Sequence, residues 1–105
     1  MLITTGDNLP GWEFEVIGEV FGLTVRSRHL GSDMLAGLKS LVGGELKGMT
    51  KLLAEGRHQA IARLTEEAEA MGGNAIIAMR FETSDLQSLG TEICAYGTAV
   101  RARKV

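Results

Sequence analysis

The chain has 105 residues, of which 45% are hydrophobic and 23% charged, so it is too apolar for a disordered segment and has the size of one domain. Its formal net charge of −2 argues against the basic surface that nucleic acid or anionic lipid would need. A single cysteine excludes an intrachain disulfide and suits a reducing compartment. Because the sequence shows no leader-like N-terminus and no apolar run of membrane-spanning length, we expect one cytoplasmic domain over residues 1–105.

The first part of the chain predicts extended structure. Residues 2–5 form a short, β-branched segment that is closed by turn-forming residues. Trp12, Phe14 and Val16 then alternate with glutamates, which predicts a half-buried strand. The alternation changes phase after Gly18, and a glycine at such a position predicts a bulge or bend within one long strand.

A short amphipathic helix is predicted next. Ser32 or Asp33 can cap its N-terminus, apolar residues recur at helical spacing as far as Val42, and Gly43 and Gly44 end it. The glycine pair therefore separates this helix from the one that follows.

The longest predicted element is that second helix, which begins between residues 46 and 50 and ends near Met71. Gly72 suits the left-handed position that follows a helix C-terminus. The apolar side chains of the helix form one stripe, which must pack against a sheet. The stripe contains Met49, Leu53, Ala60, Leu64, Ala68 and Met71.

Two further strands are predicted, over residues 75–83 and 91–103. Alternation in the first strand places Ala75, Ile77, Met79 and Phe81 on one face and Ile76, Ala78, Arg80 and Glu82 on the other. Both faces of the last strand are largely uncharged, whereas helices of the same chain can cover only one face of a sheet. We therefore expect a two-layer α+β fold in the order strand, helix, strand, strand, with partner subunits on the bare face.

Four motifs carry a resemblance to a known family. They are "VRSRHLG" at 25–31, "GGELKG" at 43–48, "GGNAII" at 72–77 and "AYGTAV" at 95–100. In this order and spacing they resemble the YbjQ-like family of small bacterial and archaeal proteins, which carries a heavy-metal-binding label. Met49 stands where the family usually has an aromatic residue, and Gly73 where it usually has alanine.

This resemblance implies a fold and an assembly. The fold is that of a dodecin-like subunit, an antiparallel sheet packed on one long helix in the order β-α-β-β with extra short elements. The assembly is a ring-shaped homo-oligomer, typically a pentamer. The resemblance implies no activity and no cofactor.

Metal-binding and catalytic candidates are few. Soft-metal sites require several thiolates or imidazoles at chelating spacing, and the three candidates here, Cys94, His29 and His58, have no such spacing. We expect Cys94 to be buried and unligated, because it lies mid-strand among apolar residues. No nucleophile elbow, HExxH or Walker motif occurs, so we expect no catalytic residues.

Two other features are candidates for ligand binding. Arg57 falls within the apolar stripe of the long helix, so we expect it to be partly buried and paired with Glu45, Glu82 or a carboxylate of a neighbouring subunit. Gly43, Gly44, Glu45 and Lys47 lead into the helix N-terminus and could present backbone N–H groups to an anion, although a hinge between two helices explains the glycines better.

These patterns lead to one functional hypothesis and two alternatives. We expect a small homo-oligomeric, pentameric binding or scaffold protein that associates with itself and not with nucleic acid or membrane. The alternatives are a heavy-metal-binding protein and a binder of small ligands or anions at the subunit interface.

Overall fold

The computed structural model describes residues 1–26 and 47–105 and shows one helix packed on a four-stranded sheet. The elements are β1 (Leu2–Ile3), β2 (Trp12–Arg26), α1 (Lys47–Ala70), β3 (Ala75–Asp85), a 3₁₀ turn (Gln87–Leu89) and β4 (Thr91–Lys104). The two-layer α+β prediction is confirmed, and the long helix begins and ends where we expected. The predicted short helix over residues 32–42 lies outside the described residues. Within the described residues, no helix is long and apolar enough to cross a membrane.

The sheet has the strand order β1-β3-β4-β2. β2 runs antiparallel to β4 along its whole length, from the Trp12–Lys104 pair to the Arg26–Thr91 pair. β3 is antiparallel to the other side of β4, so the predicted antiparallel core of the sheet is correct. The short segment at the N-terminus adds a parallel strand beside β3, which makes the sheet mixed.

The predicted bulge in β2 is confirmed. The register between β2 and β4 shifts between Val16 and Gly18. One extra residue at this point exchanges the faces of the alternation that follows. As a result Val20 is buried under the helix, while Val16 and Phe21 both lie on the opposite face.

The predicted face assignment of β3 is wrong beyond Ile77, because the strand contains a second bulge. Ala78 adopts a left-handed backbone conformation with φ of 53°, and the register against β4 shifts between Ile77 and Arg80. The N-terminal segment holds this bulge, since the Ala78 N–H donates to the Gly6 carbonyl at 2.7 Å. Arg80 and Glu82 consequently share a face with Ala75 and Ile77, and Phe81 shares the other face with Ile76.

The main core lies between α1 and the sheet. Ala60, Leu64 and Ala68 are buried as predicted, but Leu53 and Met71 are 37% and 38% exposed. The buried stripe continues instead to Gly56, because α1 packs mainly on β2 and β4. The core consists of Val20, Ala60, Leu64, Ala68, Ile76, Ile93, Ala95 and Ala99.

The helix approaches β2 most closely at Gly22. A Cβ atom at this position would lie 2.2 Å from the Ala60 carbonyl oxygen and 2.5 Å from the Leu64 amide nitrogen. Both neighbours are backbone atoms, so a side chain cannot be accommodated by a rotamer change. The glycine therefore sets the distance between helix and strand.

We expect Gly22→Ala to destabilise the protein by about 1–3 kcal/mol or more, because the added methyl group must push the helix away from the sheet. The measurement is urea unfolding at a fixed protein concentration. Gly6→Ala is the matched control, since its Cβ atom would lie no closer than 3.5 Å to another group. Equal unfolding midpoints for the two variants would show that the helix is not held at this distance.

Candidate functional site: the outer face of the sheet

The face of the sheet that points away from α1, called here the outer face, differs between its two ends. At one end Leu9 of the N-terminal loop covers it and is 4% exposed. The side chains packed there are Leu9, Ala75, Ile77, Val100 and Ala102, with Phe14 beside them. This second cluster closes the end of the outer face near the β2 N-terminus.

At the other end of the outer face, the side chains of β2 are apolar and uncovered among the described residues. Four side chains form a continuous patch on neighbouring strands, called here the outer stripe. They are Phe21 at 56% exposure, Leu23 at 40%, Val25 at 56% and Tyr96 at 37%. Phe21 lies directly opposite Tyr96 in the register of β2 and β4, so the patch is contiguous. Monomeric soluble proteins rarely leave such a patch in water, and a patch of this kind marks an interaction site.

Cys94 lies within this uncovered region, opposite Leu23 on β2 and Glu82 on β3. It is half-buried, so the prediction of a fully buried thiol is wrong for the isolated subunit. Burial, and then the carboxylates of Glu92 and Glu82, raise the pKa of the Cys94 thiol above its ordinary value. The thiol also contacts the Ala95 carbonyl oxygen at 3.8 Å. A raised pKa disfavours the thiolate, which makes Cys94 a poor nucleophile at neutral pH.

The structure does not bring together the two metal candidates that it describes, Cys94 and His58. Cys94 is on the outer face, whereas His58 is exposed on α1, which packs on the other side of the sheet. His29 lies outside the described residues. Within the described residues, no three His, Cys, Asp or Glu side chains are grouped so that they could hold a metal ion.

Among the described residues, Arg57 contacts an aromatic ring and not the predicted Glu82. Its side chain is exposed, and its Cζ atom lies 4.8 Å from the centroid of the Phe81 ring. Glu82 is on the opposite face of the sheet, so the expected pairing with Glu82 is wrong. The bulge at Ala78 is the reason, because it directs Phe81 and not Glu82 to the helix side. The alternative partner Glu45 lies outside the described residues, and pairing with a carboxylate of a neighbouring subunit stays a prediction.

The glycine-rich anion-binding candidate is only partly described. Gly43, Gly44 and Glu45 lie outside the described residues, and Lys47 is the first residue of α1. The proposed ligand contacts at this motif therefore stay a prediction.

A mixed-charge surface lies beyond the C-terminal end of α1, where the strands β2 and β4 continue as a ribbon. Glu15 is opposite Arg101, and Glu13 forms an exposed ion pair with Arg103. These four residues border an open cavity of about 470 Å³. Arg101, Arg103 and Lys104 are exposed, and exposed ion pairs of this kind contribute little to stability.

Known proteins resemble this chain over nearly its full length. A family model described as "Putative heavy-metal-binding" matches residues 1–103. A UPF0145 protein of Streptomyces coelicolor is 61% identical over 101 residues, which cover 95% of each chain. A UPF0145 protein of Limosilactobacillus fermentum is 52% identical over 101 residues, which cover 96% of this chain and 90% of the relative. The chain belongs to the YbjQ-like family.

A solved structure shares the fold of this YbjQ-like chain. It is the crystal structure of a DUF74-family protein of unknown function from Pediococcus pentosaceus. The TM-score is 0.63 with 19% sequence identity, and the match covers 98% of each chain. At that identity the likeness shows the α+β fold alone.

Replacing Arg57 in the YbjQ-like chain tests its contact with Phe81. We expect Arg57→Ala to lower the free energy of unfolding by about 0.5–1 kcal/mol, as for an exposed cation over an aromatic ring, and not by the 3–5 kcal/mol of a broken buried ion pair. A double-mutant cycle with Phe81→Leu should recover most of that loss as coupling between the two residues. A loss above about 3 kcal/mol with no coupling to Phe81 would contradict this contact and would indicate that Arg57 forms a buried ion pair.

Proposed function

We propose that this YbjQ-like protein is a scaffold or binding protein that works as a closed ring of identical subunits, with five subunits as its resemblance implies. The outer stripe is the observation that carries the proposal, because Phe21, Leu23, Val25 and Tyr96 gain most if a second copy removes them from water. The proposal assigns no reaction to the protein, and it places the protein in the cytoplasm, where the free thiol of Cys94 stays reduced.

The shape of the subunit supports self-association. The described part of the subunit has a radius of gyration of 16.9 Å, whereas a compact domain of about 100 residues has a radius of about 13 Å. The principal extents of 53 × 27 × 16 Å describe a thin slab. A slab exposes more apolar surface than a globule of the same mass, and association with other slabs removes that surface from water.

The distribution of charge on the outer face suits a contact with a second copy. Arg80, Glu82 and Glu92 lie at the border of the outer stripe, and the stripe itself carries no charged side chain. A fully apolar centre with a polar rim is the usual arrangement of protein–protein interfaces. In a closed ring of five subunits each contact joins two different surfaces, so the outer stripe packs against another apolar surface of the next subunit.

Phe21→Glu tests the interface directly. Because Phe21 is 56% exposed in the subunit, the change is tolerated by the fold but places a charge in the proposed contact. We expect the wild-type protein to have the mass of several subunits in light scattering at micromolar concentration, and Phe21→Glu to have the mass of a smaller species. Glu66→Ala on the exposed side of α1 should keep the wild-type mass. A monomeric wild-type protein would refute the proposal.

Heavy-metal binding is a second candidate, favoured by the position of Cys94 on the same uncovered face beside Glu82. One thiol per chain gives little affinity for a soft metal. Assembly through the outer face could supply a second thiol from another subunit. The metal site would then exist only in the oligomer.

Cadmium titration followed by native mass spectrometry tests this candidate. If the assembly holds a soft metal at this face, the wild-type oligomer takes up cadmium in a fixed ratio to subunits, and Cys94→Ser loses that uptake at an unchanged oligomer mass. Phe21→Glu should also lose it, because the thiols would no longer meet. Wild-type protein that takes up no cadmium, or Cys94→Ser that binds it equally well, rejects metal binding at Cys94.

A further inference from the structure

β2 is both long and located at an edge of the sheet. It contains 15 residues, which extend over roughly 50 Å, and it is the last strand of the described sheet on its side. An edge strand presents unpaired N–H and C=O groups to which another chain can add a strand. Long apolar edges of this kind cause edge-to-edge aggregation unless something blocks them.

The direction of the free backbone groups follows from one hydrogen bond. The Arg63 side chain donates from Nη1 to the carbonyl oxygen of Leu23, so this carbonyl points away from β4. Within an antiparallel pair, alternate residues direct both backbone groups toward the partner strand or away from it. Phe21, Leu23 and Val25 therefore direct their N–H and C=O groups to the free edge, within the apolar run "FGLTV".

The packing of α1 on β2 places Arg63 at this edge. Gln59 and Arg63 are one helical turn apart, and both contact β2. The Thr24 hydroxyl donates to Gln59 Oε1 at 2.7 Å, which fixes the helix over the strand one residue from Leu23. The close approach at Gly22 brings the helix near enough for the Arg63 side chain to reach the edge.

We propose that Arg63 protects the edge of β2. By donating to the Leu23 carbonyl it occupies the acceptor that a strand of a second copy would need. Its bulk and charge also lie where that strand would run. This inference rests on the proposed function in one respect. If the edge of β2 is blocked, copies in a closed assembly must meet through the outer face and not through the edge.

Two substitutions separate the hydrogen bond from packing. Arg63→Met keeps a long apolar stem but removes every donor, whereas Arg63→Lys keeps a charged donor. We expect Arg63→Met to form species larger than the wild-type assembly that grow with time in light scattering, and Arg63→Lys to keep the wild-type mass. Arg57→Ala is the matched control, since it removes one cation from the same helix but lies over Phe81 and not at the edge.

Hydrogen exchange identifies the surface that grows. In the wild-type protein the amides of Phe21, Leu23 and Val25 should exchange quickly. In the enlarged Arg63→Met species they should exchange at about one tenth of that rate or slower, because they have become strand-paired. An unchanged mass for Arg63→Met, growth without protection of these amides, or equal growth of Arg57→Ala would each overturn the proposal.

The two proposals fail separately in these experiments. The wild-type mass and the Phe21→Glu variant decide whether copies associate through the outer face. The change from wild type to Arg63→Met decides whether the edge is protected, whatever the wild-type mass is. Melting temperatures of the Arg63 variants, followed by far-UV circular dichroism, show whether growth begins from the folded chain: growth well below the transition supports the proposal, and growth only within it contradicts the proposal.

Discussion

The contact between α1 and β2 at Gly22 determines most of the arrangement. Because the strand has no side chain there, the helix backbone lies directly on it. The side chains of Ala60, Leu64 and Ala68 fill the space between helix and sheet. The helix therefore follows β2 and covers β3 only slightly. Arg63 and Gln59 reach the edge strand for the same reason, and Phe81 on β3 remains accessible to Arg57.

The elements that could be predicted are those whose signal is local. The bulge at Gly18 can be predicted because a glycine coincides with a change of phase in the alternation of β2. The bulge at Ala78 could not be predicted in this way, because alanine rarely adopts a positive φ and the groups that hold it come from the N-terminal segment. One indirect signal was Gly97 on the neighbouring strand, where a Cβ atom would lie 2.9 Å from the Ile76 side chain.

The sequence predicts that one sheet face is uncovered, but it does not predict which residues form the uncovered patch. Apolar residues on both sheet faces predict one face without a cover, and the outer stripe is uncovered among the described residues. Individual residues were harder to predict, since the assignment of Arg57 depended on the helix phase and on which β3 residue faces the helix. An error of one residue in β3 was enough to exchange an ion pair for a contact with an aromatic ring.

The segment before β2 holds the bulge of β3 in place through hydrogen bonds. Thr4 accepts a hydrogen bond from the Met79 N–H at 3.0 Å, Gly6 accepts one from Ala78, and Thr5 accepts one from the Arg80 side chain. These three consecutive carbonyls hold the extra residue in place against the cost of its backbone conformation, about 1–3 kcal/mol for such a residue. A change in the length of chain near the N-terminus would therefore alter which β3 side chains border the outer stripe.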